Sequence, residues 1–296
     1  RNLRSIQQCS RLPHEIIVIV DGCTDGTKEV VEKWAKEECR AEGKTRGITV
    51  AIVTDGVFET ISDSIGCALA SGEFLLEVQA DMFIWERGFD NILVRTLELL
   101  PELIAVGGRG AHSFRLVSGH ASRSSRDIVA RASRELFWSA ARIFRQYNPT
   151  QAELHLSDSI GRVGDLIECR VKFTERPRPI FVHETIMRGP LAVRRSDFLS
   201  LGGFDTSNFF LGNDDHDFAM RALVQLGRRV GYVPIGFDSP VAVGTTRAPR
   251  DPQAEARFRE LNQYYATRFT RSSLAIHGRN FVAPRRYVAH IPLEWS

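Results

Sequence analysis

The chain has no run of about 18 apolar residues, so its hydropathy offers nothing to span a membrane. It has no signal-peptide pattern, no internal repeat and no low-complexity segment. It opens on Arg1 rather than Met, which leaves room for a preceding segment, a targeting one included. Cysteine is sparse: Cys9, Cys23, Cys39, Cys67 and Cys169 form no C-x-x-C pair and are odd in number. That argues against a disulfide framework or a zinc site and for a reducing, cytoplasmic compartment. A G-x-G-x-x-G fingerprint after a strand is missing, as is a Walker loop. The arginines are not interleaved with stacking aromatics, so nucleic acid is not an expected partner.

What is present fits a globular protein. With 296 residues, 43% hydrophobic and 25% charged, the chain can bury a substantial core in one large domain or two small ones. The net charge of +3 is unevenly spread. From Arg247 to Ser296 nine arginines face four acids, and arginine is dense again from Arg109 to Arg145, offset by Asp127 and Glu135. Such stretches read either as solvated surface or as a face that attracts phosphates, anionic glycans or lipid headgroups.

The first half alternates between two periods. "EIIVIV" (15–20) and "ITVAIV" (48–53) are short β-branched runs of the kind found in buried parallel strands. Thr27 to Cys39 has helical spacing, and Ile61, Ile65, Ala68 and Leu69 mark a short helix. "EFLLEVQAD" (73–81) reads as a third strand, "DNILVRTLELL" as a helix closed by Pro101, and "LIAVGG" as a fourth strand. This alternation predicts an α/β fold: a mostly parallel, Rossmann-like sheet flanked by helices, with ligands at the carboxyl ends of its strands. Asp21 and Asp81 fall at such ends. Further on, a long amphipathic helix is expected around 126–146, strands at "FVHETI" and "GPLAVRR", then the helix "RSDFLSLGG". The strand "RRVGYVPI" follows, and then a last helix, capped by Asp251 and running to about Phe269.

Two segments carry unusual chemistry. "DGCTDGTKEVVE" (21–32) approaches a calcium loop, but Cys23 is a poor ligand for a hard cation and a strand, not a helix, precedes it. "NDDHDFAMR" (213–221) crowds Asp214, Asp215 and Asp217 around His216. A capped helix, with Asn213 as N-cap and acids in the first turn, explains one or two of these. Three adjacent carboxylates repel one another, and that points to a positioned base or a cation site. On this stretch alone both readings stand.

Read together, "EIIVIVDGCTDGT", "ISDSIGCALASGEFLLEVQAD", "GPLAVRRSDFLSLGGFD" and "DDHDFAMRALVQLGRRVGYVP" resemble, in this order, the inverting glycosyltransferase family 2 with the GT-A fold. They cover most of residues 15–106 and 187–235. The resemblance implies transfer of a sugar from a nucleoside-diphosphate sugar to an acceptor hydroxyl, with inversion. It makes Asp215 the general base, with Asp214 beside it where a Glu is commoner. Asp217, Arg221 and Gly189 fall on the acceptor or support side, and His216 on the surface of the helix. Asp21 matches the acid that contacts the nucleotide base, with Thr24 in the same segment. Asp63 falls where the family has Asn near the donor. Gln79, Ala80 and Asp81 occupy the D-x-D, whose last Asp would coordinate Mg²⁺ or Mn²⁺ on the diphosphate.

Three departures accompany the match. The family's opening strand would precede Arg1. Gln79 and Val20 stand where the family has aspartates. The stretch shortly after the Asp-rich helix, "FDSPVAVGTTR", has no His where many relatives have one, and Asp238 is the candidate substitute. The resemblance implies a nucleotide-sugar-binding half (1–106), an acceptor-side half with a helical insertion and the Asp helix (107–250), and a basic C-terminal helix and tail (251–296). A glycan, lipid-linked or protein acceptor would suit the arginines, as would peripheral contact with an anionic membrane surface. The alternative is a sugar-nucleotide- or glycan-binding relative without turnover.

Overall fold

The computed structural model describes residues 1–38, 45–109, 111–112, 178–183, 185–186, 188–212, 214–233, 235–238, 250–277 and 286–291. The expected helix around 126–146 and the N-cap Asn213 lie outside the described residues. The chain forms an α/β fold. Helix α1 (Asn2–Cys9) leads into strand β1 (His14–Asp21), helix α2 (Thr27–Glu38), strand β2 (Thr45–Val53) and helix α3 (Glu59–Leu69). Strands β3 (Phe74–Glu77) and β4 (Phe83–Ile84), helix α4 (Phe89–Leu99) and strands β5 (Leu103–Gly107) and β6 (Ala111–His112) follow. The second half supplies β7 (Arg178–His183), β8 (Thr185–Ile186), β9 (Leu191–Arg194), α5 (Arg195–Ser200), α6 (Asp214–Leu226), β10 (Arg229–Tyr232), β11 (Phe237–Asp238), α7 (Pro252–His277) and β12 (Arg286–Ile291).

β1 and β2 pair in parallel over their whole length, as their β-branched composition predicts. The larger sheet has the order β12-β7-β10-β5-β9-β3. β5 and β10 are parallel, while β9 pairs antiparallel with both β5 and β3, and β7 with both β10 and β12. Four of these six strands therefore share one direction, but their neighbours are mostly antiparallel. The sheet is mixed because β7 and β9, from the second half, insert between strands of the common direction.

Burial explains why β5 is central. Every residue from Leu103 to Gly107 is buried, so helices must cover both faces. On one face, Ile92, Leu93 and Leu97 of α4 pack with Leu103, Val106 and Ala192. On the other, Phe198 of α5 and Phe218, Ala219 and Ala222 of α6 pack with Ile104, Ala105, Leu191 and Val193. The side chains of β9 alternate between these cores, Ala192 to one and its two neighbours to the other, as a pleat requires. No described helix is long and apolar enough to cross a membrane.

Sequence periodicity misjudged some boundaries. The run 73–81 forms a strand only to Glu77. Beyond it the Met82 amide donates to the Gln79 carbonyl (3.0 Å), which closes a turn and puts Gln79, Ala80 and Asp81 outside the sheet. "FVHETI" divides between β7 and β8. α7 continues past Phe269 to His277.

One buried carboxylate joins the two halves of the first layer. Asp90, 4% exposed at the start of α4, accepts the Arg11 amide on both oxygens (3.0 and 2.8 Å) and the Leu12 amide (2.8 Å). Charge-assisted bonds of this kind are individually stronger than neutral ones, and their loss leaves two amide donors without an acceptor. Asp90→Ala should therefore cost about 3 kcal/mol. Equilibrium unfolding in denaturant measures it, and a loss near zero would show that water replaces the carboxylate at no cost.

Candidate functional site

The site gathers around a residue that periodicity gave no reason to select. Arg188, just before β9, is buried with its side chain 4% exposed. Its Nη1 lies 2.6 Å from Asp63 Oδ2 and 3.5 Å from Glu59 Oε1, both on α3. Its Nε lies 3.6 Å from Glu77 Oε2 at the end of β3, and its Nη2 lies 2.7 Å from Asp214 Oδ2 at the start of α6. The guanidinium stacks on the Phe204 ring, 4.1 Å from its centroid. Its backbone N–H donates to Asp215 Oδ2 (3.3 Å). A helix, a strand end and the Asp-rich helix thus meet on one cation.

Four carboxylates around one guanidinium leave the pocket with excess negative charge, and burial makes that costly. The acids respond by holding protons. Burial pushes Asp63 up to about 7, with Arg188 opposing and Glu59 and Asp214 adding to the rise. Burial likewise raises Glu59, and raises Glu77 well above the usual carboxylate range. Burial acts against the charge of Arg188, but the carboxylates, Asp214 foremost, outweigh it and hold the guanidinium ionised.

The three aspartates of "NDDHDFAMR" take different partners. Asp214 faces Arg188. Asp217 accepts from Arg221 Nε one turn on (2.7 Å), and Arg221 also donates to the Leu201 and Gly203 carbonyls (2.6 and 2.7 Å). Arg221 and Asp217 therefore fasten α6 to the turn after α5. Asp215 is half-buried. Its Oδ1 accepts the His216 amide (2.8 Å), with His216 Nδ1 at 3.6 Å, and its Oδ2 accepts Arg188 N–H. Its carboxylate is held from two sides at the helix N-terminus, where an anion is favoured.

The donor-side candidates divide into two places. Gln79 donates to Glu59 Oε1 and accepts from Arg109 Nη1 (3.5 Å), which ties the turn to α3. Gly189 sits against the same turn: at φ +60°, a Cβ there would lie 2.7 Å from Met82 Sδ and 3.2 Å from Gln79 Cγ, so only glycine fits. Ala80 is exposed and Asp81 half-buried in that turn. Asp21, in contrast, closes a loop. Its two oxygens accept the Val57 and Phe58 amides (2.8 and 2.7 Å), and Thr24 nearby in sequence is exposed. Phe58 is held at φ 65°, ψ −178°, a conformation that costs a non-glycine residue about 1–3 kcal/mol. Its ring packs edge-on to Phe210 and Phe258 (centroids 5.7 and 5.8 Å). Asp63, Gln79, Gly189, Asp214 and Asp215 thus belong to one set of contacts around Arg188, and Asp21 is joined to it through the start of α3.

Among the described residues, one group of three acids could hold a divalent cation. Glu59, Asp63 and Glu77 bring ligand oxygens within 4.8 Å of one another, but Arg188 already supplies the positive charge there. Asp81 lies outside that group. Asp238 pairs in register with Phe83, two residues along the chain from Asp81. Sequence reasoning missed Arg188, Glu59 and Glu77. Only Glu77 left a trace, a charge ending an apolar strand.

The raised pKa of Asp63 has a consequence for stability. A carboxyl whose folded pKa is raised favours the folded state most below its ordinary value near 4, and that advantage is lost as pH rises towards 7. The melting temperature of Asp63→Asn minus that of the wild type should therefore grow between about pH 4 and pH 7 and level off above. A difference that does not change over this range would mean that Asp63 ionises as an ordinary surface acid does.

No protein-family model and no curated protein matches the chain. Among solved structures it is similar to GalNAc-T7 with UDP, GalNAc and Mn²⁺, at 12% identity and a TM-score of 0.46, over 75% of this chain and 42% of that one. It is also similar to S. aureus TarS 1-349, at 14% identity and a TM-score of 0.42, over 92% of this chain and 61% of that one. The same TarS segment in complex with UDP gives 12% identity and a TM-score of 0.44, over 92% and 68%. The chain spans less than two thirds of GalNAc-T7 and of the first TarS structure.

Proposed function

We propose that the chain is an inverting glycosyltransferase of the GT-A type, akin to family 2, which moves a sugar from a nucleoside-diphosphate sugar to an acceptor hydroxyl. The observation that carries this reading is the convergence of segments far apart in sequence. Asp63, Gln79, Gly189 and Asp214–Asp215, the positions selected by resemblance to the family, are joined by contacts around the buried Arg188.

In this reading Asp215 is the general base. Its carboxylate takes the proton of the acceptor hydroxyl as the new bond forms between that oxygen and the anomeric carbon. The bond from the anomeric carbon to the diphosphate breaks on the opposite face, and the nucleoside diphosphate leaves with the electron pair. The Arg188 and His216 amides each donate to one of its oxygens and so orient the carboxylate. Asp81 with Asp238 would hold Mg²⁺ or Mn²⁺, which when bound supplies positive charge to the departing diphosphate. Gln79 in place of an acid, with Arg109 donating to it, makes this edge less anionic than a D-x-D and weakens its hold on a cation. The acceptor is a glycan, a lipid-linked sugar or a protein, and contact with an anionic membrane surface would suit the arginine-rich stretches.

A second reading, a sugar-nucleotide- or glycan-binding relative without turnover, is favoured by the engagement of Gln79 with Glu59 and Arg109. Thermal unfolding against UDP, GDP, CMP and dTDP, each with and without Mn²⁺, separates the possibilities. A nucleotide at about 100 times its dissociation constant adds about 2.7 kcal/mol of stability, which a melting curve resolves. One nucleotide should stabilise the protein, more so with Mn²⁺, and stabilisation by none would remove the donor site from consideration. Asp215→Asn should keep that stabilisation and lose turnover by at least about a hundredfold. Turnover at the wild-type rate would overturn the assignment of the base.

A further inference from the structure

We infer that Arg188 is the positioning residue for the base, and that it holds the Asp214–Asp215 pair in place from the donor side of the pocket. This inference rests on the reading of Asp215 as the base. Arg188 reaches α6 twice, through its guanidinium to Asp214 (2.7 Å) and through its own amide to Asp215 Oδ2 (3.3 Å). The far side of the guanidinium is fixed by acids of other elements, Asp63 and Glu59 of α3 and Glu77 of β3, and one of its faces lies on Phe204. The Glu59 contact continues into the D-x-D turn, since Gln79 donates to Glu59 Oε1. A shift of the donor-side turn is therefore passed through Glu59 and Arg188 to the carboxylate that takes the proton.

Arginine suits this post and lysine does not. The guanidinium presents five N–H groups in a fixed plane and stays charged when buried, whereas an ammonium is a compact charge with three donors. Among four acids on three elements, a lysine can satisfy some partners only by abandoning others. Arg188→Lys keeps the charge and removes the geometry.

The probe reaction is donor hydrolysis, with UDP release followed from UDP-glucose, UDP-N-acetylglucosamine and UDP-N-acetylgalactosamine. Asp215→Asn is assayed alongside. If it hydrolyses donor as the wild type does, the base assignment fails on its own variant, whatever Arg188 does. In Arg188→Lys, kcat should fall by about tenfold to a hundredfold, as expected when a reacting group moves by up to 1 Å, while KM for the donor changes less than about twofold. The acid limb of the pH–kcat profile should shift, a change that a loss of folded protein alone does not produce. In the absence of donor, carboxyl ¹³C titration of Asp215, assigned through Asp215→Asn, should show a displaced midpoint in Arg188→Lys. That measurement decides the matter if the wild type hydrolyses none of the three donors. If Arg188→Lys does not fold, Phe204→Leu removes the ring under the guanidinium with every charge kept, and should displace the same midpoint by less. A folded Arg188→Lys or Phe204→Leu with wild-type kcat, acid limb and Asp215 titration would overturn the inference.

Discussion

A guanidinium taken out of water among carboxylates sets the terms for the rest of this site. The desolvation cost of Arg188 amounts to several kcal/mol and is offset only because each of its nitrogens faces an oxygen. Removing the cation from such a set leaves its acids buried without a partner charge, which typically costs about 3–5 kcal/mol. The carboxylates for their part outnumber the cation, and Asp63, Glu59 and Glu77 relieve the excess by favouring their protonated forms. The arrangement is therefore stable as a group. α3, the end of β3, the approach to β9 and the start of α6 cannot shift independently without breaking a short contact in the pocket.

A second constraint fixes the start of α3 from the side of β1. Asp21 at the end of β1 pulls the Val57 and Phe58 amides into place, while Phe210 and Phe258 hold the Phe58 ring. Two hydrogen bonds to a carboxylate, at about 1.5–3 kcal/mol each, are enough to sustain a backbone strain of about 1–3 kcal/mol. Gly22 lets the two loops meet, because a Cβ there would lie 2.8 Å from Gly56 Cα. The β1–β2 pair thus orients the first turn of α3, and that turn carries Glu59 into the Arg188 pocket. The acid that resemblance assigns to the nucleotide base does structural work as well.

Much of this fold was legible from period alone. β1, β2, β5 and the helices α2, α4 and α6 stand where β-branched runs or 3.6-residue spacing put them, because burial of one face or of both writes itself into local sequence. The early end of β3 was not legible, since "VQAD" continues the alternation of the strand and only the tertiary contacts of Gln79 turn the chain aside. The insertion of β7 and β9 was hidden for another reason: which strand pairs with which is a long-range choice. Arg188 was the least legible of all. Its partner Asp63 is 125 residues away, and "MRGP" carries no spacing that marks a buried cation.

The crowding of Asp214, Asp215 and Asp217 finds its explanation in that same contact map. Neighbouring carboxylates on a helix point in different directions, about 100° apart from one residue to the next, so three of them address three different partners. Asp214 turns inward to Arg188, Asp217 to Arg221 on its own helix, and Asp215 accepts from the Arg188 and His216 amides. Two of the three are thus each paired with an arginine. The acids that burial pushes towards their protonated forms are Glu59, Asp63 and Glu77, supplied by α3 and β3 around Arg188. In the proposed reading, the helix sets Asp215 between two neighbours that are each paired with an arginine.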